Sequence, residues 1–151
     1  DIPSSVRFIR DFAFCDCSSL TWIKIPSSVT TIHDSAFHSC SLLTSIEIPL
    51  SVTAIEEGAF RDCTSLTSIE FQTPSSVKII GDFAFHGCSS LTSIVIPSLV
   101  TAIPYYSFCD CTSLTCIKIP SLVAIIGENA FQDCSSLTSI EIPSTVTAIR
   151  Y

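Results

Sequence analysis

Apolar residues recur along the chain in short bursts of fixed internal spacing. Leu20, Ile23 and Ile25 occupy the first, fourth and sixth places of one burst, and the spacing returns at Leu43/Ile46/Ile48, Leu66/Ile69/Phe71, Leu91/Ile94/Ile96, Leu114/Ile117/Ile119 and Leu137/Ile140/Ile142. Alternation with period 2 sends Ile23 and Ile25 to one side of an extended segment and Lys24 to the other, so each burst predicts a strand with one buried and one outward face. A second apolar pair follows, from Val6/Ile9 to Val146/Ile149, and then an Ala-Phe step such as Ala36-Phe37. These predict an arm that returns the chain to the next strand. An acidic residue stands three places before the Phe at Asp11, Asp34, Glu57, Asp82 and Glu128, with Tyr105 interrupting the series. Anions favour the start of a helix, so a short helical turn carrying Ala-Phe is expected there.

The whole pattern has a period. Pro3, Pro26, Pro49, Pro74, Pro97, Pro120 and Pro143 are 23 residues apart except for one step of 25, which marks a two-residue insertion at Gln72-Thr73. Cysteine keeps step at Cys17, Cys40, Cys63, Cys88, Cys111 and Cys134, and phenylalanine at Phe14, Phe37, Phe60, Phe85, Phe108 and Phe131. A unit this short cannot bury its own apolar face, and stacked units bury a continuous core instead. The spacing L-x-x-L-x-L is that of leucine-rich-repeat strands. The predicted fold is therefore an α/β-type repeat solenoid, a right-handed leucine-rich-repeat superhelix with one parallel strand per repeat and short helical or irregular returning arms. Residues 1–151 form one array of about six and a half repeats: 2–24, 25–47, 48–70, 71–95, 96–118, 119–141 and a partial 142–151.

Ile-Pro-Ser-Ser-Val-Thr at 25–30 and Ile126-Gly127…Ala130-Phe131…Cys134-Ser135-Ser136-Leu137-Thr138-Ser139-Ile140 closely resemble the BspA-like leucine-rich repeat family. The resemblance covers the whole chain. It implies surface or secreted proteins of bacteria and protists, many of them long arrays involved in adhesion to host matrix or other cells. Two departures stand out. The Gly before the acidic position survives only at Gly81 and Gly127, and Pro104-Tyr105-Tyr106-Ser107 replaces the usual Gly-x-x-Ala, predicting an altered turn.

Composition narrows the function classes. The chain is 47% apolar with a formal net charge of −7 and only seven Lys plus Arg, so disorder and phosphate-tracking nucleic-acid binding are both disfavoured. No apolar stretch approaches the roughly 18 residues that span a bilayer, and no basic-then-apolar start resembles a signal peptide. The sequence opens at Asp1 and stops at Tyr151 in mid-pattern, so a signal, anchor or cap would lie outside it. The first and last units carry no polar capping repeat, which predicts end-to-end self-association.

In a solenoid, aligned positions stack about 4.8 Å apart and become ladders. The outward strand columns run Thr21, Thr44, Thr67, Thr92, Thr115, Thr138; then Trp22, Ser45, Ser68, Ser93, Cys116, Ser139; then Lys24, Glu47, Glu70, Val95, Lys118, Glu141. The first is invariant and the others vary. Concave strand faces are where solenoids bind, which makes Trp22, Lys24, Glu47, Glu70, Val95, Cys116, Lys118 and Glu141 the candidate ligand-binding residues. The bland alternative is solvated filler: Thr and Ser suit exposed strands, and Lys24–Glu47 or Lys118–Glu141 would be ordinary cross-strand pairs. Glu47 beside Glu70 would then be an uncompensated repulsion. Trp22 favours binding, since aromatic anchors are enriched at interfaces, although packing against an N-terminal neighbour would also account for it.

The cysteine ladder reads as reduced, buried thiols, because nine cysteines cannot all pair and stacked side chains do not reach disulfide geometry without distortion. The redox compartment stays open on these residues. The column two places before it reads Cys15, His38, Arg61, His86, Cys109, Gln132, which sets Cys15 beside His38 and His86 beside Cys109. A Cys–His contact can ionise a thiol or begin a metal site, yet no third Cys or His reaches either pair; only Asp16 and Asp110 could supplement them. Variable loop positions without chemical purpose are the preferred reading, and no catalytic residue, cofactor or metal is assigned. No Ser-His-Asp ordering, glycine-rich phosphate loop or paired-carboxylate cleft occurs. The leading expectation is a non-enzymatic module that binds protein, host matrix or another cell-surface protein, without membrane insertion. A spacer segment of a longer surface array is the alternative, and glycan or ice binding through the Thr/Ser ladders ranks third.

Overall fold

The computed structural model describes residues 2–150; Asp1 and Tyr151, the outer limits of the predicted array, lie outside the described residues. The chain winds as a parallel β-solenoid of about six turns. Each coil contributes up to two short strands rather than one. Four of the six L-x-x-L-x-L segments form the first strand face: β3 (Ser45–Ile48) pairs with β5 (Ser68–Phe71), and β7 (Ser93–Val95) with β9 (Cys116–Lys118), all parallel. The first and last such segments, 20–25 and 137–142, were expected as strands but are not, each having a described neighbour of its kind on one side only. The Val-x-x-Ile segments, expected only as part of a returning arm, build a second face. Here β1 (Phe8–Ile9), β2 (Thr31–Ile32), β4 (Ala54–Ile55) and β6 (Ile79–Ile80) form one sheet, and β8 (Ala102–Ile103), β10 (Ile125–Ile126) and β11 (Ala148–Ile149) another.

Register follows the repeat: Ile46 faces Ile69, and Glu47 faces Glu70. Both sheets are interrupted just after the insertion, between β5 and β7 and between β6 and β8. Between the faces the core runs as columns. Val29, Val52, Val77 and Val123, Leu43, Leu66, Leu91 and Leu114, and Phe37, Phe60, Phe85 and Phe108 are all fully buried. The Phe rings stack from Phe14 to Phe131 with centroids 5.2–5.8 Å apart and interplanar angles of 1–19°.

The arm that carries Ala-Phe is not helical, and no described residue is in a helix. Its amides alternate between two partners. Ala13, Cys15 and Cys17 donate to carbonyls three residues back, while Phe12, Phe14 and Asp16 donate to Asp34, Ala36 and His38 of the next coil. A helix would direct every amide to its own coil and leave the stack without this ladder. The alternation requires two left-handed residues per arm. One column is Phe12, Ser35, Gly58, Phe83, Tyr106 and Asn129; the other is Asp16, Ser39, Asp62, Gly87, Asp110 and Asp133. Asp, Asn, Ser and Gly suit that backbone, whereas Phe and Tyr at positive φ are uncommon. The acidic column accordingly does not cap helices. Asp34 Oδ1 accepts from the Glu57 amide and Asp82 Oδ1 from the Tyr105 amide, each at 3.1 Å and each between coils.

The two retained glycines have local reasons. A Cβ on Gly81 would lie 2.5 Å from the Glu56 carbonyl carbon and the Glu57 nitrogen, and one on Gly127 would lie 2.7 Å from Pro104 and Tyr105 backbone atoms. Side chains cannot fit where the neighbouring backbone approaches this closely.

Candidate functional site

The strand face presents the expected side chains outward. Lys24, Glu47, Glu70, Lys118 and Glu141 are exposed, as are Cys116, Trp22 at 59% and Val95 at 63%. Their neighbours Ile46, Ile48, Ile94 and Ile117 are buried, as the period-2 pattern requires. Two shallow depressions run along this face. One, of about 490 Å³, is bordered by Trp22, Lys24, Glu47, Glu70 and Gln72; the other, of about 750 Å³, by Glu70, Phe71, Val95, Pro97 and Lys118.

Three expectations for this face change. Neither Lys24–Glu47 nor Lys118–Glu141 is among the ion pairs of the described residues. Glu47 and Glu70 do face each other, but Gln72 donates from Nε2 to Glu47 Oε1 at 2.6 Å and accepts the Leu50 amide at 3.2 Å. The inserted residue thus clamps the carboxylate that the repeat would leave repelled. The invariant Thr column has a structural purpose as well: Thr44, Thr67 and Thr115 each donate Oγ1 to the Thr carbonyl one coil back, at 3.0–3.4 Å. A hydroxyl engaged this way is not a free element of an ice-matching array.

Trp22 also borders a second environment. Together with Ile2, Val6, Phe8, Phe14 and Leu20 it lines an apolar depression of about 600 Å³ on the outer side of the first coil.

The ladder cysteines are unpaired and mostly buried. Cys40, Cys63, Cys88, Cys111 and Cys134 each donate the thiol to the Phe carbonyl one coil back, at 3.1–3.2 Å. Cys17, in the first coil, is exposed and departs from the expected six buried thiols. Burial pushes the Cys40 thiol up to about 12 and Cys134 up to about 11, and holds Cys63, Cys88 and Cys111 far above the ordinary thiol range.

On the turn arm the Cys–His column separates into unequal halves. His38 Nε2 lies 3.4 Å from Asp62 Oδ2. His86 sits between two carboxylates, with Nδ1 3.8 Å from Asp62 Oδ1 and Nε2 3.6 Å from Asp110 Oδ2. The Cys109 thiol donates to the same Asp110 oxygen at 3.5 Å. Burial, reinforced by Asp110, raises Cys109 to about 12, so it is a neutral thiol and not a nucleophile at neutral pH. An aromatic group closes over this region: Phe83 stacks on Tyr106 at 5.3 Å, Arg61 lies 5.4 Å above Phe83, and both rings flank His86. Sequence reasoning saw only an altered turn at Tyr105-Tyr106. The missed signal was the alignment of Phe83 with Tyr106 in one left-handed column.

Comparison with known proteins places this geometry. The BspA type leucine rich repeat region matches in six copies over residues 1–74 and 70–151. The chain belongs to the BspA-type leucine-rich-repeat family. No curated protein matches it significantly. Among solved structures it is similar to a leucine-rich repeat protein from Eubacterium ventriosum, with 31% identity, a TM-score of 0.87, and coverage of 99% of this chain and 40% of that one. It is also similar to a leucine rich cell surface protein from Faecalibacterium prausnitzii (36% identity, TM-score 0.60, 81% and 39% coverage). A T. pallidum leucine rich repeat protein shares 29% identity at a TM-score of 0.68, over 89% and 72% of the two chains. The chain therefore spans about 40% of the first two of these relatives. BspA-type and other leucine-rich repeats are generally non-enzymatic scaffolds of the kind used for protein binding or surface display. Among the described residues no helix is long and apolar enough to cross a membrane.

Proposed function

We propose that this BspA-type array is a non-catalytic recognition module that binds a protein at a cell surface through its first strand face. The observation that carries the reading is the exposed Trp22, beside Lys24 and Glu47, at the border of the depression that continues to Glu70 and Gln72. An aromatic ring flanked by charges of both signs is the composition that concentrates binding energy in protein interfaces. Val95, Cys116, Lys118 and Glu141 extend the same face across the later coils. Surface placement is supported by the relative described as a cell surface protein. A spacer would need no such irregularity, because the Thr, Phe and Cys ladders already account for stacking.

The test compares the chain with the triple variant Trp22→Ala, Lys24→Ser, Glu47→Ser in pull-downs from cell-surface and matrix extracts, followed by titration of whatever protein is retained. All three side chains are exposed, so stability should change by no more than about 0.5 kcal/mol each. Affinity should fall about thirtyfold or more, corresponding to roughly 2 kcal/mol at an aromatic hot spot. Equal retention by the variant would assign the strand face to the spacer role.

A further inference from the structure

We propose that His86, Cys109 and Asp110 form a binding site for a divalent transition metal of the zinc type, supported from behind by Asp62. The three residues offer one nitrogen, one sulfur and one oxygen ligand, and these atoms all lie within 4.8 Å of one another. Tetrahedral zinc with bond lengths of about 2.0–2.3 Å separates its ligands by about 3.3–3.7 Å. Two of the three pairs already have that separation: His86 Nε2 to Asp110 Oδ2 at 3.6 Å, and Cys109 Sγ to Asp110 Oδ2 at 3.5 Å. The mixed donor set favours a borderline-soft ion over calcium or magnesium, which prefer all-oxygen shells. Solvent would complete the coordination, reached past Asp110, whose side chain is 48% exposed.

The second observation concerns the far side of the imidazole. His86 Nδ1 is buried and has no hydrogen-bond partner, yet Asp62 Oδ1 stands 3.8 Å away. Coordination through Nε2 puts the ring proton on Nδ1, facing that carboxylate, which is the carboxylate–histidine–metal arrangement that fixes the ring's orientation. Phe83 and Tyr106 flank the imidazole at 5.8 and 6.4 Å and restrict its rotation. The equivalent positions in the first coils do not assemble: Cys15 donates to Asp16 at 3.5 Å, but His38 pairs with Asp62, and the His86 cluster is the one group of three suitable side chains among the described residues. Without a cation, the Cys109 thiol hydrogen-bonds the carboxylate. On binding, the S–H bond breaks, a metal–sulfur bond forms and the proton passes to the buffer.

The experiment uses the 151-residue chain, reduced and stripped with chelator, then titrated with Co²⁺ as a spectroscopic substitute and back-titrated with Zn²⁺. One cobalt per chain should bind with a thiolate-to-metal charge-transfer band that zinc abolishes. Cys109→Ser should remove the band. His86→Gln should weaken binding by about a hundredfold or more, and Asp62→Asn by about tenfold, the effect of losing an outer-shell partner. Cys15→Ser and Cys116→Ser should bind as the parent does. Because Cys109 is buried, His86→Gln and Asp110→Asn at partly exposed positions decide the matter if Cys109→Ser does not fold. The proposal is overturned if the band survives Cys109→Ser or is lost with Cys15→Ser. It is also overturned if affinity is indifferent to His86→Gln, or if no saturable binding occurs. None of these outcomes depends on the strand-face reading.

Discussion

Replacing Phe60 by Ala removes the middle of the stacked aromatic column. Its ring is fully buried and lies 5.2 Å from Phe37 on one side and 5.8 Å from Phe85 on the other. Loss of a fully buried Phe side chain forfeits about 1.5–3 kcal/mol of transfer free energy. Neighbouring coils are held in register by their backbone ladders and cannot collapse into the space, so a cavity term is added and the total reaches about 3–5 kcal/mol. Phe14, half-buried and with one described neighbour at 5.2 Å, encloses no such cavity when truncated and should cost roughly 1–1.5 kcal/mol. Urea unfolding monitored by far-UV circular dichroism measures both, with the slope checked because a central defect can uncouple the two halves of a solenoid. A cost at Phe60 no larger than at Phe14 would refute the claim that the Phe column is one continuous core.

Other outcomes follow from single contacts. Gln72→Ala should free Glu47 to face Glu70 unclamped, costing roughly 0.5–1 kcal/mol at low salt and less as salt screens the pair, measured by thermal melts across ionic strength. Gly87→Ala should destabilise by about 1 kcal/mol, because Gly87 has φ +70°, where a side chain is strained, and the Asp62 carboxylate must move aside for the new Cβ; chemical denaturation reads the loss. Cys40 and Cys109 hold their protons more tightly folded than unfolded, both rising from 9.0 to about 12. Above the unfolded value the unfolded chain releases these protons first, so stability is full below pH 9.0 and falls as pH rises towards about 12. A variant with both positions changed to Ser should show a shallower alkaline loss than the parent in urea melts. The apolar depression bordered by Ile2, Phe8, Phe14 and Trp22 should make the 151-residue chain associate with rising concentration, and a strictly monomeric sedimentation profile would count against this.

The columns were legible because a fixed period converts sequence distance into spatial adjacency. That reasoning placed Ile46 and Ile48 inside, Glu47 outside, and His86 beside Cys109. The arm was misread because an acidic residue three places before Phe resembles a capped helix start, while the real constraint lies between coils. Alternate amides must reach the next coil, which demands left-handed residues, and the Asp/Ser/Gly column from Asp16 to Asp133 carried that signal unread. The second strand face was missed since Val29 and Ile32 are three apart, and only two residues per coil, such as Thr31–Ile32, are extended. Gln72 could not be read as a clamp, because an insertion stands outside every column. Asp110 was legible as a possible supplement to His86 and Cys109, but its place in the left-handed column, which turns its carboxylate to both of them, was not.

The binding surface can be located directly with two thiols that face different ways. Cys116 is exposed on the first strand face and Cys17 is exposed on the turn arm of the first coil. Alkylation rates of both, followed by mass spectrometry with and without the retained partner, report which side is covered. The strand-face account expects Cys116 to be shielded several-fold while Cys17 reacts at its unbound rate. Shielding of Cys17 with Cys116 unaffected would place the partner on the arm and contradict it.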